Sequence, residues 1–100
     1  MDLPTVEGER LTLRPLTDDD VEVLLPAAGP EALRVAIRWF VDERGHHRFT
    51  IDPTVENHRA IEAYRRVGFK PVGILRKSER APAGHWREGL LMDLLADELR

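Results

Sequence analysis

The sequence predicts a single domain of class α+β or α/β, with four strands and three helices packed on the faces of the sheet. Three observations carry this. The chain has 100 residues, enough for one modest core and no more. Stretches that alternate apolar with polar residues are interleaved with stretches whose apolar residues recur at helical spacing. Glycine or proline stands at most of the junctions between them. Hydrophobic residues make up 42% and charged residues 33%, a balance that excludes disordered and collagenous chains.

The first strand is read over Glu9 to Leu16, where Leu11, Leu13 and Leu16 nearly alternate with Arg10, Thr12 and Arg14 and Pro15 ends the run or keeps it at an edge. Thr17 is then expected to cap a short helix. Asp18, Asp19 and Asp20 crowd its first turn, where the helix dipole favours negative charge, and Val21, Leu24 and Leu25 form its apolar face. Pro26 to Pro30 breaks that helix, and Pro30 opens a second, over Glu31 to Glu43. Leu33, Ala36, Ile37 and Phe40 make its inner stripe, Arg34 and Arg38 share the other face, and Gly45 stops it. Arg48 to Ile51 follows as a short strand carrying Phe49 and Ile51, closed by Asp52-Pro53. A third helix runs from about Glu56 to Val67, with Ala60, Ile61, Tyr64 and Val67 inward and Gly68 at its end. Phe69 to Leu75 is a strand, Lys77 to Gly84 a polar hairpin loop, Trp86 to Leu95 the last strand, and Ala96 to Arg100 a frayed tail. The step from Arg48–Ile51 through the third helix to Phe69–Leu75 is either a crossover or an antiparallel return.

Composition removes several classes of function. No cysteine is present, which excludes disulfides, thiolate zinc sites and a cysteine nucleophile. No apolar run approaches the ~18–20 residues of a membrane span, and the opening MDLPTVEGER does not read as a signal peptide, so a cytoplasmic protein is expected. Residues 1–30 hold seven acids and two bases, whereas 31–100 hold eleven acids and thirteen bases. The basic part suits a small anionic ligand better than duplex DNA. His46 and His47 are strand neighbours on opposite faces, and His58 and His85 have no ligand-type partner at suitable spacing, so no metal is expected. Nucleic-acid binding is not expected either, because Arg59, Arg65 and Arg66 lack interleaved aromatics.

One segment is specific. Thr50 to Gly73, TIDPTVENHRAIEAYRRVGFKPVG, contains Asn57, Ala60, Tyr64, Gly68, Phe69 and Gly73 in the order N-x-x-A-x-x-x-Y-x-x-x-GF, then F-x-x-x-G. This resembles the C-terminal part of the GCN5-related N-acetyltransferase (GNAT) fold. GERLTLRPLTDDD looks like that family's first strand and helix, and HWREGLLMDLLADELR like the last strand of its aminoglycoside 6′-N-acetyltransferase and ribosomal-protein acetyltransferase branches. The resemblance implies a mixed sheet, shortened here in the middle. Leu25 runs directly into PAAGPEALRVAIRW, where the family has further strands and a glycine-rich phosphate turn. Gly29 looks like the last glycine of that turn.

The resemblance also implies a chemistry: transfer of an acetyl group from acetyl-CoA to a primary amine, an aminoglycoside being one candidate. Tyr64 stands where the family's thiolate-protonating tyrosine stands, and a phenol of ordinary pKa near ~10 matches a thiolate in basicity. Asn57 and Arg59 become coenzyme contacts, Gly29 a remnant of the phosphate turn, and Asp52 an amine-binding carboxylate. Each has a plainer role beside it. Tyr64 also fits a packed core tyrosine, Asn57 a helix cap, Arg59 a solvated helix arginine, Asp52 an Asx turn and Gly29 a helix N-cap. From another functional class comes a non-catalytic remnant that keeps the scaffold for dimerisation or weak ligand binding. A homodimer is expected in either case, because the strand at Arg48–Ile51 would lack its family neighbour and leave an open edge carrying Phe49 and Ile51.

Overall fold

Leu11 and Leu13 lie two residues apart on strand β1 (Arg10–Pro15), and both are fully buried, as alternation demands. The computed structural model of the protein describes residues 10–15, 21–24 and 30–100. After β1 come β2 (Val21–Leu24), α1 (Pro30–Arg44), β3 (His46–Ile51), α2 (His58–Val67), β4 (Lys70–Arg80) and β5 (Trp86–Leu95), then a 3₁₀ turn at Ala96–Glu98. The strands form one sheet in the order β2-β1-β3-β5-β4, with every ladder antiparallel. The expected α+β class is thus the observed one, with five strands and two α-helices among the described residues.

Register fixes which residues share a face. Leu11 lies opposite Ile51, Leu13 opposite Phe49, Phe49 opposite Leu94, and Ile51 opposite Met92. All are buried in one cluster with Leu33 and Ile37 of α1, Val67 of α2, and Phe69. Both helices therefore cover the same face of the sheet, not two faces. Burying one such side chain is worth about 1.5–3 kcal/mol, so this single layer contact holds the molecule together.

Several expectations are corrected. Val21–Leu24 is a strand, not a helix: it pairs with β1 as a hairpin, with Val21 across from Leu13 and Val23 across from Leu11. The cap at Thr17, its aspartates, Leu25 and the Pro26–Gly29 break lie outside the described residues. The sheet is antiparallel throughout its described ladders rather than mixed. β3 and β4 run parallel to one another with β5 hydrogen-bonded between them, so α2 is a crossover connection. The edge of β3 expected to lie open is paired with β1 from Leu11 to Pro15, and Phe49 and Ile51 are buried within one chain. That ground for a homodimer is removed. β4 continues to Arg80, so the hairpin loop shrinks to the turn between Ala81 and His85.

Nor is the tail frayed. The Leu95 backbone N–H donates to Glu98 Oε1 at 3.0 Å, Lys70 pairs with Glu98, and the Arg100 N–H donates to the Val67 carbonyl at 2.9 Å. The hydrogen bond from Lys70 holds the Glu98 carboxyl below its ordinary pKa. The tail closes over Gly68, whose φ of 120° is a conformation that suits glycine. A Cβ there would lie 2.5 Å from the Glu98 carbonyl oxygen and 3.0 Å from Leu94 Cδ1. Gly68→Ala is expected to cost about 2 kcal/mol or more, from backbone strain and displaced tail together, measured by urea unfolding.

His46, the first residue of β3, is 7% exposed and sits between Phe40 and Phe49, with ring centroids at 5.3 and 6.3 Å. Its Nδ1 is buried with no hydrogen-bond partner among the described residues. Burial, then the nearby Arg44, push its pKa below 6.5, while a hydrogen bond to the Arg14 backbone works the other way. With the folded pKa below the unfolded one, the stability is fully present above pH 6.5 and is lost as pH falls from there through the folded value. Melting temperature should fall as pH drops below about 6.5, and His46→Gln should flatten that segment of the curve, whatever its effect on absolute stability.

Candidate functional site

The candidate site is built around α2 and the segment that leads into it. Beyond β3 the chain keeps running alongside β5: the Leu90 N–H donates to the Pro53 carbonyl at 2.7 Å, and the Val55 N–H to the Glu88 carbonyl at 3.0 Å. Pro53 and Thr54 are buried and Asp52 is half-buried, so this stretch is an ordered ledge at the end of the sheet rather than a loose loop. It delivers Asn57 to the start of α2 as N-cap. The Asn57 Oδ1 accepts from the Ala60 N–H at 3.2 Å, satisfying a donor that the first helical turn leaves unpaired. The helix begins at His58 instead of Glu56 for this reason. Arg59 lies exposed on the first turn.

Tyr64 lies seven residues beyond Asn57, two helical turns and roughly 10 Å along the axis, and therefore on the same side of the helix. It is half-buried against the core and meets the Phe69 ring edge-on, centroids 6.1 Å apart. Backbone geometry explains this contact. The Phe69 N–H donates to the Tyr64 carbonyl at 3.0 Å and the Gly68 N–H to the Arg65 carbonyl at 3.0 Å. These two bonds define a Schellman motif, which brings the residue after the glycine against the one four before the glycine. The spacing Tyr64-x-x-x-Gly68-Phe69 is thus a helix-stop signal, and it also fixes the phenol at the sheet-facing side of α2.

Of the residues singled out in the sequence, the structure brings Asn57, Arg59 and Tyr64 onto one helix and places Asp52 on the ledge before it. Gly29 lies outside the described residues. Asn57 retains its amide Nδ2 as a donor after capping with Oδ1. The set therefore offers an amide donor, a cation and a phenol along one helix, with a carboxylate at the end of β3. Asn57 and Tyr64 can act on one ligand along the side of α2 that they share, as a donor and an acid, whereas Arg59, five residues before Tyr64, projects from another side of the helix.

Sequence reasoning missed Arg34, read as an outward arginine. Its Nε donates to the Arg100 carbonyl at 2.9 Å, one Nη donates to the Arg66 carbonyl at 3.1 Å, and the other pairs with Glu31. It locks α1 to the C-terminal end of α2. No local pattern carries that signal, since the partners are 32 and 66 residues away.

The sequence matches no protein-family model, and no curated protein matches it. Fifteen chains of solved structures match the fold. One, a crystal structure described as a "putative acetyltransferase", superposes with a TM-score of 0.60 at 22% identity over 91% of this chain and 52% of its own. The chain thus spans about half the length of that structure. The likeness to that structure is one of fold.

Proposed function

We propose that the protein transfers an acetyl group from acetyl-CoA to the amine of a small molecule in the cytoplasm, an aminoglycoside being one candidate acceptor. The observation that carries the reading is the placement of Asn57 and Tyr64 on one side of α2, in a fold like that of the crystal structure described as a "putative acetyltransferase". In the reaction a neutral amine nitrogen attacks the thioester carbonyl, the C–S bond breaks, and the thiolate leaves. Tyr64 gives that thiolate its hydroxyl proton, the amine loses one to solvent or to a base, and the tyrosinate is reprotonated. Asn57 Nδ2 and Arg59 supply donors to the coenzyme, and Asp52 attracts the cationic acceptor.

A second reading, a scaffold without catalysis, has one observation in its favour. β1 fills the edge of β3 that the resemblance assigns to the strand beside the acetyl group. Coenzyme binding separates the two. Acetyl-CoA at a hundredfold excess over Kd should stabilise the fold by about 2.7 kcal/mol, and no shift at millimolar coenzyme rejects the enzyme.

Tyr64→Phe keeps the ring that packs on Phe69 and removes only the hydroxyl. It should lower kcat by about 10²- to 10⁴-fold with coenzyme affinity nearly unchanged, read by thiol release. Asn57 offers a second test. Asn57→Asp preserves the cap oxygen and removes the amide donor, whereas Asn57→Ala removes both and should cost about 1 kcal/mol of stability. A coenzyme contact predicts that Asn57→Asp retains stability yet weakens acetyl-CoA binding, measured by calorimetry.

A further inference from the structure

β4 is the outer strand of the sheet and, among the described residues, pairs on one side only. It is long, eleven residues, and each is exposed except half-buried Leu75. Two features set it apart from an ordinary solvated edge. Val72 is 55% exposed and Ile74 53%, and Trp86 on the adjoining strand is 54% exposed. Ile74 lies opposite Leu90 and Arg80 opposite Trp86, so Ile74 and Trp86 extend the helix-covered face of the sheet beyond the reach of either helix. The second feature is charge. Lys70, Arg76, Lys77 and Arg80 stand on this strand against Glu79 alone, a local +3 in a chain whose net charge is −3.

Edge cations also ward off aggregation, and here Pro71 and register shifts at Pro71/Gly73 and Leu75/Glu79 shorten the pairing run. Protection of that kind accounts for the lysines and arginines. It leaves unexplained why bare Val72, Ile74 and Trp86 are gathered beside them, an arrangement typical of a surface that is covered in use. Which partner covers it follows from the sign of the charge. Two copies of β4 laid edge to edge would bring four cations against four, so a second copy is disfavoured at this edge.

We propose that β4 is a docking strand for an extended, acidic segment of a partner protein, which adds to the sheet as a sixth strand. Main-chain hydrogen bonds to the open edge supply the binding, alternate apolar residues of the segment lie over Ile74 and Trp86, and its carboxylates face Arg76, Lys77 and Arg80. The proposal is independent of acetyl transfer and of every residue placed in the candidate site.

An end-blocked decapeptide alternating Glu with Val and Ile is the probe, tested on the full chain. Saturating peptide should slow amide hydrogen exchange along β4 by about tenfold or more, with affinity falling as salt rises from about 0.05 to about 0.5 M. Arg76→Glu with Arg80→Glu should weaken binding about tenfold or more. Both side chains are exposed, and the neutral pair Arg76→Gln with Arg80→Gln, expected to show a smaller loss, serves should the reversed pair melt early. The same peptide with Lys for Glu, or N-methylated at each backbone amide, should not bind. Any of five results overturns the proposal: no binding at millimolar peptide, equal binding of the Lys peptide, equal binding by both substituted proteins, protection confined to other elements, or concentration-dependent protection of β4 without peptide. The last would make a second copy the occupant.

Discussion

The way α2 ends governs the rest of the molecule. A helix leaves its last four carbonyls without intrahelical donors, and this end is packed against α1, the tail and the sheet. The structure supplies a partner for each. Gly68 and Phe69 N–H groups serve Tyr64 and Arg65, Arg34 serves Arg66, and the Arg100 N–H serves Val67. Those donors come from three places in the chain, so satisfying one helix end fixes α1, the start of β4 and the C-terminal tail relative to one another. The left-handed turn at Gly68 then aims β4 along the free side of β5.

The same device defines the candidate site. Tyr64 is the residue at which the Schellman motif closes, so its backbone and ring are held by Gly68 and Phe69 whatever its hydroxyl does. Asn57 is held in the same way at the other end, as cap to the first turn. Both ends of α2 are thus anchored by the groups that the acetyl-transfer reading employs. A rigid helix of this kind suits a site that must hold a donor and an acid a fixed distance apart.

Much of this was legible in the residues, because the signals were local. Helix α1 was read as Glu31 to Glu43 and is observed as Pro30–Arg44, and β5 was read with its observed bounds. Val21–Leu24 failed for a definable reason: Val21 and Leu24 fit a helical period, Val21 and Val23 a strand period, and four residues cannot separate the two. Pairing with β1 decided the outcome. Lys77–Arg80 looked like a loop because an outer strand exposed on both faces has no apolar alternation to display. The docked tail and the Arg34 clamp join residues far apart in the chain, which no period or cap reveals. For the site, capping chemistry placed Asn57 and Gly68 correctly, while the pairing of β1 with β3 was invisible to local pattern.

The place of β5 has a bearing on how the chain comes to be folded. It follows the other described strands in the chain, yet it lies between β3 and β4, and its Met92 and Leu94 fill the middle of the core. Until it arrives, β3 lacks a neighbour on one side and β4 has none at all among the described strands, and Phe49 and Ile51 lack Leu94 and Met92 opposite them. At ribosomal rates of about 5–20 residues per second, the nascent chain spends about a second or more with β3 and β4 emerged and unjoined. Closure joins β5 to β4 as a local hairpin and to β3 across a longer stretch of chain, the non-local pairing being the entropically costlier of the two. The basic outer strand that later faces solvent thus also carries charge through the interval when the apolar strands are most prone to pair wrongly.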